Sequence, residues 1–138
     1  DIKFDNCQFQ PDNPDEVTSI FDWDMCTLGD PLIDCGTALS YWPDERLDKV
    51  EGLPVRLTGK FPDKKFIIER YHKFTDFDMS KIAWYEAFSY WKNAIVSQQL
   101  YKRFVDGETK DKRMEMFGIS ANVNEEMALG IVRGVRRS

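Results

Sequence analysis

The chain has 138 residues, enough for one domain with its own core, and its 42% hydrophobic and 14% aromatic content indicates a folded protein. Its net charge of −5 argues against a nucleic-acid binder, which would need a basic surface. It contains no run of roughly 18 apolar residues, so no membrane-spanning helix is predicted. We therefore expect a cytoplasmic protein with neither nucleic acid nor membrane as a partner.

The cysteines and the single histidine give no sign of a metal or disulfide site. Cys7, Cys26 and Cys35 form no C-x-x-C pair and are odd in number. We interpret them as small thiols in a reducing compartment. His72 lies in a charged run and is interpreted as a surface or half-buried helix residue. Since the chain does not begin with Met, we expect it to be part of a longer polypeptide.

The first elements predicted along the chain are two strands. Residues 7–9 alternate in polarity, and residues 17–22, "VTSIFD", are rich in β-branched and aromatic types. Between them, "PDNPDE" at residues 11–16 is dense in turn-forming residues. The pattern predicts a β-hairpin with a moderately long loop.

A helix is predicted to follow the "GDP" motif at residues 29–31. Asp30 is suited to cap the helix, and Pro31 fits the first helical position, where a missing N–H costs nothing. Four apolar side chains would then share one side of the helix: Leu32, Cys35, Leu39 and Trp42. Residues 43–62 contain three prolines and two glycines and are interpreted mainly as loop.

The remainder of the chain is predicted to be helical. Asp63 is expected to cap a helix that runs to about Phe74, and a longer helix is expected from about Ile82 to Val105, with Gly107 as its C-terminal cap. A short helix near residues 110–117 and a last one near 124–136 complete the prediction. Four residues of the long helix have the spacing of a buried stripe: Trp84, Phe88, Trp91 and Ile95.

Three acidic or amide residues near the start of the chain form a pattern with a chemical purpose. Asp1 is followed by Asn6, and the predicted hairpin ends in Asp22. Magnesium prefers hard oxygen ligands, usually one or two from side chains, with water and phosphate oxygens completing the octahedron. Kinases combine a catalytic-loop Asp with a metal-binding Asn and a second metal-binding Asp. The pattern therefore favours phosphoryl transfer.

Three quoted stretches carry a resemblance to a known family. "DIKFDN" resembles the end of the H-G-D-x-x-x-x-N catalytic loop of the aminoglycoside phosphotransferase and choline kinase superfamily. "IFDWDMCTLGDPLIDCGTAL" resembles that superfamily's next motif. "WYEAFSYWKNAIVSQQLYKRFVDGETKDKR" is similar to the branch fused to, or associated with, acyl-CoA dehydrogenases. The resemblance implies an α+β, mostly α fold: a kinase-like C-terminal lobe whose small β-hairpin carries the metal ligands.

The resemblance also implies roles for individual residues. Asp1 matches the catalytic base, and Lys3 matches the basic position that contacts the transferring phosphate. Asn6 and Asp22 match the two metal ligands, and the cofactors implied are Mg²⁺ and ATP or GTP.

Two further aspartates receive weaker assignments. Asp24 is either an auxiliary metal or water ligand or a solvated carboxylate. Asp34 matches a structural-support residue that hydrogen-bonds the catalytic loop, so we expect it to be buried.

The sequence departs from the family pattern at its start. The His and Gly expected before Asp1 are absent, as are a glycine-rich loop and a strand lysine. We therefore expect residues 1–138 to be the C-terminal lobe alone, without the N-terminal nucleotide lobe, and expect this isolated chain to be inactive. It is expected to associate with the missing lobe or with itself.

The function implied by the resemblance is transfer of the γ-phosphoryl group of ATP or GTP to a hydroxyl of a small molecule. Aminoglycosides, choline and related alcohols are substrates in the superfamily, whereas the acyl-CoA dehydrogenase association suggests a hydroxyacyl substrate. Two alternatives stay open: a non-catalytic kinase-like binding module, and a metal-dependent hydrolase. The second is disfavoured by the single histidine and the absence of a recognisable dinuclear ligand set.

Overall fold

The computed structural model describes residues 2–47, 50–51 and 60–134. In these residues the protein is mostly helical and has one small two-stranded antiparallel sheet, the α+β composition that the sequence predicted. The hairpin comes first along the chain, and the helices follow it. No helix within the described ranges is both long enough and apolar enough to cross a membrane.

The predicted hairpin is confirmed, but its loop is shorter than expected. Strand β1 spans Cys7–Gln10 and β2 spans Asn13–Ile20, and Gln10 pairs directly with Asn13. The next pair is Phe9 with Val17, so residues 14–16 are taken up by an irregularity inside β2. An exposed strand tolerates a proline and acidic residues at such an irregularity, which is why these turn-forming residues lie within a strand.

Helix α1, Leu32–Tyr41, begins where the GDP motif predicted. The Asp30 Oδ1 atom accepts a hydrogen bond of 3.0 Å from the Leu32 N–H, so the capping role of Asp30 is confirmed. Leu32, Cys35 and Leu39 are buried, as their spacing predicted.

The other three α-helices follow the predicted order. Helix α2 spans Lys64–Thr75, and its N-cap Asp63 accepts a hydrogen bond from the Phe66 N–H. Helix α3 spans Ile82–Val105, with both ends where they were predicted. Helix α4 spans Phe117–Val132 and so begins well before residue 124. The short helix predicted near residues 110–117 is a single 3₁₀ turn at Lys112–Met114.

The predicted C-terminal cap of α3 is confirmed by the backbone. Gly107 has a φ of +75°, in the left-handed region that favours glycine, and its N–H donates to the Phe104 carbonyl at 3.1 Å.

Helix α3 is the centre of the helical body, since it packs against both α1 and α4. The contact with α1 is very close at Gly36, where an added Cβ would lie 2.5 Å from the carbonyl carbon of Tyr85. Hydroxyl groups fill the same interface, with Thr37 and Ser89 hydrogen-bonded at 3.2 Å. Small side chains therefore allow the two helices to approach each other closely.

The predicted buried stripe on α3 is wrong. Trp84 is 59% exposed and Trp91 54% exposed, while Ala87 and Ser89 on the same helix are buried. The reason is the close helix packing, which places small side chains at the interface and turns the large aromatic rings outward. Tyr90, which is fully buried, is the exception among the aromatic residues of this helix.

Candidate functional site

Asn6 and Asp22 lie at the open end of the hairpin, where the two strands are paired. Cys7 pairs with Ile20, and one step outward the Phe21 N–H donates to the Asn6 backbone carbonyl at 2.7 Å. Asp22 is the next residue along the chain. The strand pairing thus brings two candidate ligands that are far apart in sequence to the same end of the hairpin.

The two candidate ligands differ in exposure and in backbone conformation. Asn6 is 6% exposed, whereas Asp22 is exposed. Asp22 has a φ of +61°, a left-handed conformation that few non-glycine residues adopt. Such conformations are concentrated at active sites and ligand clamps. Asp76 at the C-terminal cap of α2 has the same conformation, so the case for a functional role of Asp22 comes from its place at the hairpin end next to Asn6.

Lys3 is held against α1 next to this hairpin end. Its Nζ lies 5.6 Å from the centroid of the Tyr41 ring, within the range of a cation–π interaction. Burial raises the pKa of the Tyr41 hydroxyl, so this ring stays neutral at physiological pH. The Lys3 carbonyl accepts from the Asn6 N–H at 3.0 Å, which closes the 3₁₀ turn Phe4–Asn6.

An aromatic cluster anchors this turn to the helical body. The Phe4 ring lies 5.8 Å from that of Trp42 and 6.1 Å from that of Phe61, and the Trp42 indole N–H donates to the Pro62 carbonyl at 2.7 Å. Phe9 of β1 joins the cluster at 6.3 Å from Phe4. The residues around Lys3 and Asn6 are thereby tied to the end of α1 and to the loop before α2.

The structure tests the predictions for the remaining candidate residues, Asp1, Asp24 and Asp34, to different extents. Asp1 lies outside the described residues, so its predicted role as a base stays a prediction. Asp24 is exposed in the segment after the hairpin. Asp34 is also exposed, in the first turn of α1, and the expectation that it would be buried is wrong. Leu32 and Cys35 take the buried side of that turn.

The comparisons with known proteins include a family match over the part of the chain that contains the hairpin. Residues 1–54 match the model of a family described as the phosphotransferase enzyme family. These residues contain the hairpin and α1. The predicted resemblance to a phosphotransferase family is confirmed.

The similar curated proteins are acyl-CoA dehydrogenase family members, as the second part of the resemblance predicted. The chain is 29% identical to probable acyl-CoA dehydrogenase IBR3 of Arabidopsis thaliana, over 96% of this chain and 17% of that protein. It is 27% identical to acyl-CoA dehydrogenase family member 10 of Mus musculus, over 93% of this chain and 12% of that protein. It therefore spans less than a fifth of the length of either relative. No solved structure matches the chain significantly.

The side chains of Asn6 and Asp22 are of the types that magnesium binds in phosphotransferases. An amide oxygen from Asn6 and a carboxylate from Asp22 are hard ligands, and Mg²⁺ commonly takes only one or two protein ligands beside water and phosphate oxygens. Within the described ranges, no group of three or more His, Cys, Asp or Glu side chains is placed to hold a metal ion. The phosphotransferase arrangement needs no such group, because substrate phosphates complete the coordination.

A charged network in the helical body was not predicted from the sequence. Lys64 Nζ lies 2.6 Å from Glu86 Oε1 and 3.3 Å from Asp44 Oδ2, and Arg46 forms a salt bridge with Asp44. Burial alone would raise the pKa of Asp44, but hydrogen bonds from Arg46 and the charge of Lys64 outweigh it and hold this pKa well below its usual range. Asp44, Lys64 and Glu86 lie in the loop after α1, in α2 and in α3, so no local sequence pattern could have brought these three together.

The exposed aromatic residues of α3 form one wall of a groove against α4. Trp84, Phe88 and Trp91 line it from α3, with the Trp84 and Phe88 rings stacked 5.5 Å apart. Leu129 and Val132 line it from α4, and the groove has a volume of about 540 Å³. The predicted stripe is thus a continuous apolar surface that is open to solvent.

Proposed function

We propose that residues 1–138 are the C-terminal lobe of a magnesium-dependent phosphotransferase. The intact enzyme, with its nucleotide-holding lobe, transfers the γ-phosphoryl group of ATP or GTP to a hydroxyl of a small molecule. Asp1 is the catalytic base, Lys3 contacts the transferring phosphate, and Asn6 and Asp22 hold the metal with Asp24 as an auxiliary ligand.

The observation that carries the proposal is the pairing at the open end of the hairpin. The hydrogen bond of 2.7 Å from the Phe21 N–H to the Asn6 carbonyl places Asn6 beside the strand end that leads into Asp22. The left-handed backbone of Asp22 marks that residue as conformationally specified. Both residues fall within the part of the chain that matches the phosphotransferase family.

The proposed chemistry assigns one proton transfer to this chain. Asp1 accepts the proton of the substrate hydroxyl as the hydroxyl oxygen forms a bond to the γ-phosphorus, and the bond from that phosphorus to the bridging oxygen breaks, releasing ADP or GDP. In this proposal the Lys3 ammonium group stabilises charge on the phosphoryl oxygens. Magnesium, when bound, neutralises phosphate charge. General-base assistance of this kind is worth about 10²–10⁴ in rate.

A nucleotide-holding lobe is the proposed partner of the hairpin face. Large apolar side chains are exposed around the open end of the hairpin and just after it: Val17, Ile20, Phe21, Trp23, Met25 and Leu28. Adjacent exposed apolar side chains of this kind typically mark a contact surface. Much of the positioning and charge neutralisation in phosphoryl transfer comes from the other lobe, so we expect residues 1–138 alone to be inactive and to associate.

The test is an assay of magnesium-dependent phosphoryl transfer by the full-length protein that contains these residues, with a panel of small alcohols and hydroxyacyl compounds. Asp1→Asn should lower kcat by about 10²–10⁴ and leave nucleotide binding nearly unchanged. Asp5→Asn is the matched control, since Asp5 is an exposed carboxylate in the same loop and has no proposed role. Nucleotide binding without transfer in the unsubstituted protein would instead support the alternative, a non-catalytic binding module.

A further inference from the structure

The segment that carries both candidate acidic ligands has little packing of its own. Residues 21–30, here the linking segment, join β2 to α1, contain no helix or strand, and are all exposed. Leu28 is fully exposed and Trp23 is 62% exposed. Since the segment has few buried apolar contacts, its backbone conformation must be stabilised by hydrogen bonds.

The hairpin holds the first end of the linking segment. The Phe21 N–H donates to the Asn6 carbonyl, and the Trp23 indole N–H donates to the Ile20 carbonyl at 2.7 Å. A turn follows, in which the Cys26 N–H donates to the Trp23 carbonyl at 2.9 Å. The residues on both sides of Asp22 are thus tied to the strand that precedes them.

The second end is tied to α3 through Asp30. One carboxylate oxygen of Asp30 caps α1 at the Leu32 N–H, and the other accepts a hydrogen bond of 2.5 Å from the Tyr85 hydroxyl. Tyr85 is itself at a fixed point of the body, because its backbone is in close contact with Gly36 of α1. The hydroxyl therefore connects the end of the linking segment to the most closely packed interface of the protein.

We infer that Tyr85 is a positioning residue for the proposed phosphoryl transfer: through its hydrogen bond to Asp30 it fixes the linking segment that carries Asp22. This inference rests on the proposed function. Magnesium demands near-ideal octahedral geometry, so a ligand on a segment fixed at one end only would bind it less well. Tyr85 and Asp30 are 55 residues apart, which is why the sequence identified only the capping role of Asp30.

The test compares Tyr85→Phe with Tyr101→Phe, the same change near the other end of α3, in the full-length protein. Removing one hydrogen bond should speed amide hydrogen exchange in residues 22–29 by about fivefold. In the same variant the KM for the magnesium-nucleotide complex should rise by about fivefold, with a smaller change in kcat, because a metal ligand is displaced and the base is not. Tyr101→Phe should leave both unchanged.

A double-mutant cycle establishes whether Tyr85 acts through Asp30. Asp30→Ser retains a capping acceptor for the Leu32 N–H but is too short to reach the Tyr85 hydroxyl, so adding Tyr85→Phe to it should raise KM no further. Additive effects of the two changes on KM would overturn the inference. Unchanged amide exchange in Tyr85→Phe would overturn it as well. Neither result affects the proposed function as long as the unsubstituted protein transfers phosphate. Faster exchange with an unchanged KM would also overturn the positioning role. Absence of transfer by the unsubstituted protein would refute the proposed function itself, and with it the role of Tyr85 in transfer.

Discussion

The helical body and the linking segment are opposite in construction. In the body, α1 and α3 meet so closely that a Cβ at Gly36 would clash with the Tyr85 backbone, and Tyr90 and Leu39 are completely buried. In residues 21–30, every residue is exposed, and hydrogen bonds at both ends together with the turn between Trp23 and Cys26 hold the path. The comparison teaches that the closely packed residues and the candidate acidic ligands Asp22 and Asp24 lie in different parts of the chain, so substitutions can test the two parts separately.

The largest expected effect on stability comes from a matched pair of glycines. Gly36→Ala places a methyl group 2.5 Å from the backbone of Tyr85, so the two helices must separate. We expect a loss of about 3 kcal/mol in the free energy of unfolding, measured by urea denaturation. Gly29→Ala in the linking segment meets no atom within 4 Å and should be nearly neutral. Equal effects at the two glycines would contradict the comparison.

A smaller loss is expected when the charged network of the body is broken. Lys64→Met leaves the carboxylate of Glu86, whose side chain is 14% exposed, without its cation. We expect a loss of about 2 kcal/mol, below the 3–5 kcal/mol of a fully buried pair because solvent reaches part of the network. Lys65→Met is the control, since the Lys65 side chain is 81% exposed and its ion pair should contribute little. Thermal denaturation should show a lower melting temperature for Lys64→Met and almost no change for Lys65→Met; equal changes in the two variants would contradict the prediction.

Acid should destabilise the body through the same network. The pKa of Asp44 is lower in the folded protein than in the unfolded chain, so its contribution to stability is present above about pH 4 and is lost as the pH falls through the folded-state pKa. The free energy of unfolding should therefore fall as the pH is lowered below 4. In Asp44→Asn that acid dependence should be shallower; an unchanged pH profile would show that the network does not contribute.

The reactivity of two cysteines compares the linking segment with the helical body in the unsubstituted protein. Cys26 is exposed in the linking segment, while burial raises the pKa of the Cys35 thiol in α1 to about 11. At pH 8 that shift lowers the thiolate fraction of Cys35 by about a hundredfold, so iodoacetamide should label Cys26 far faster. Mass spectrometry of the labelled peptides measures both rates. Labelling of Cys35 at the rate of Cys26 would show that the body opens as readily as the segment.

Local signals predicted the elements well because their causes are local. The caps at Asp30 and Asp63 and the glycine after α3 each act within a few residues, and the structure confirms all three. The aromatic stripe of α3 was misassigned because periodicity indicates which residues share a face but not which face is buried. That choice depends on the small residues of α1, especially Gly36.

Part of the candidate site was also predictable from local sequence signals. A motif in residues 1–22 indicated Asn6 and Asp22, and the strand pairing that brings their backbones to one end of the hairpin followed from the hairpin prediction. The left-handed backbone of Asp22 and the link from Tyr85 to Asp30 had no local signal. Both depend on contacts or conformations that only the folded chain specifies.

The most direct test of the central claim is to separate metal binding from proton transfer at the open end of the hairpin. In the full-length protein, kcat and the KM for the magnesium-nucleotide complex are measured for Asp22→Asn and Asp1→Asn, with Asp12→Asn in the exposed hairpin turn as the control. We predict that Asp22→Asn raises this KM by roughly tenfold or more. Asp1→Asn should instead lower kcat by about 10²–10⁴ with little change in KM. Small and equal effects from the two substitutions would contradict the account.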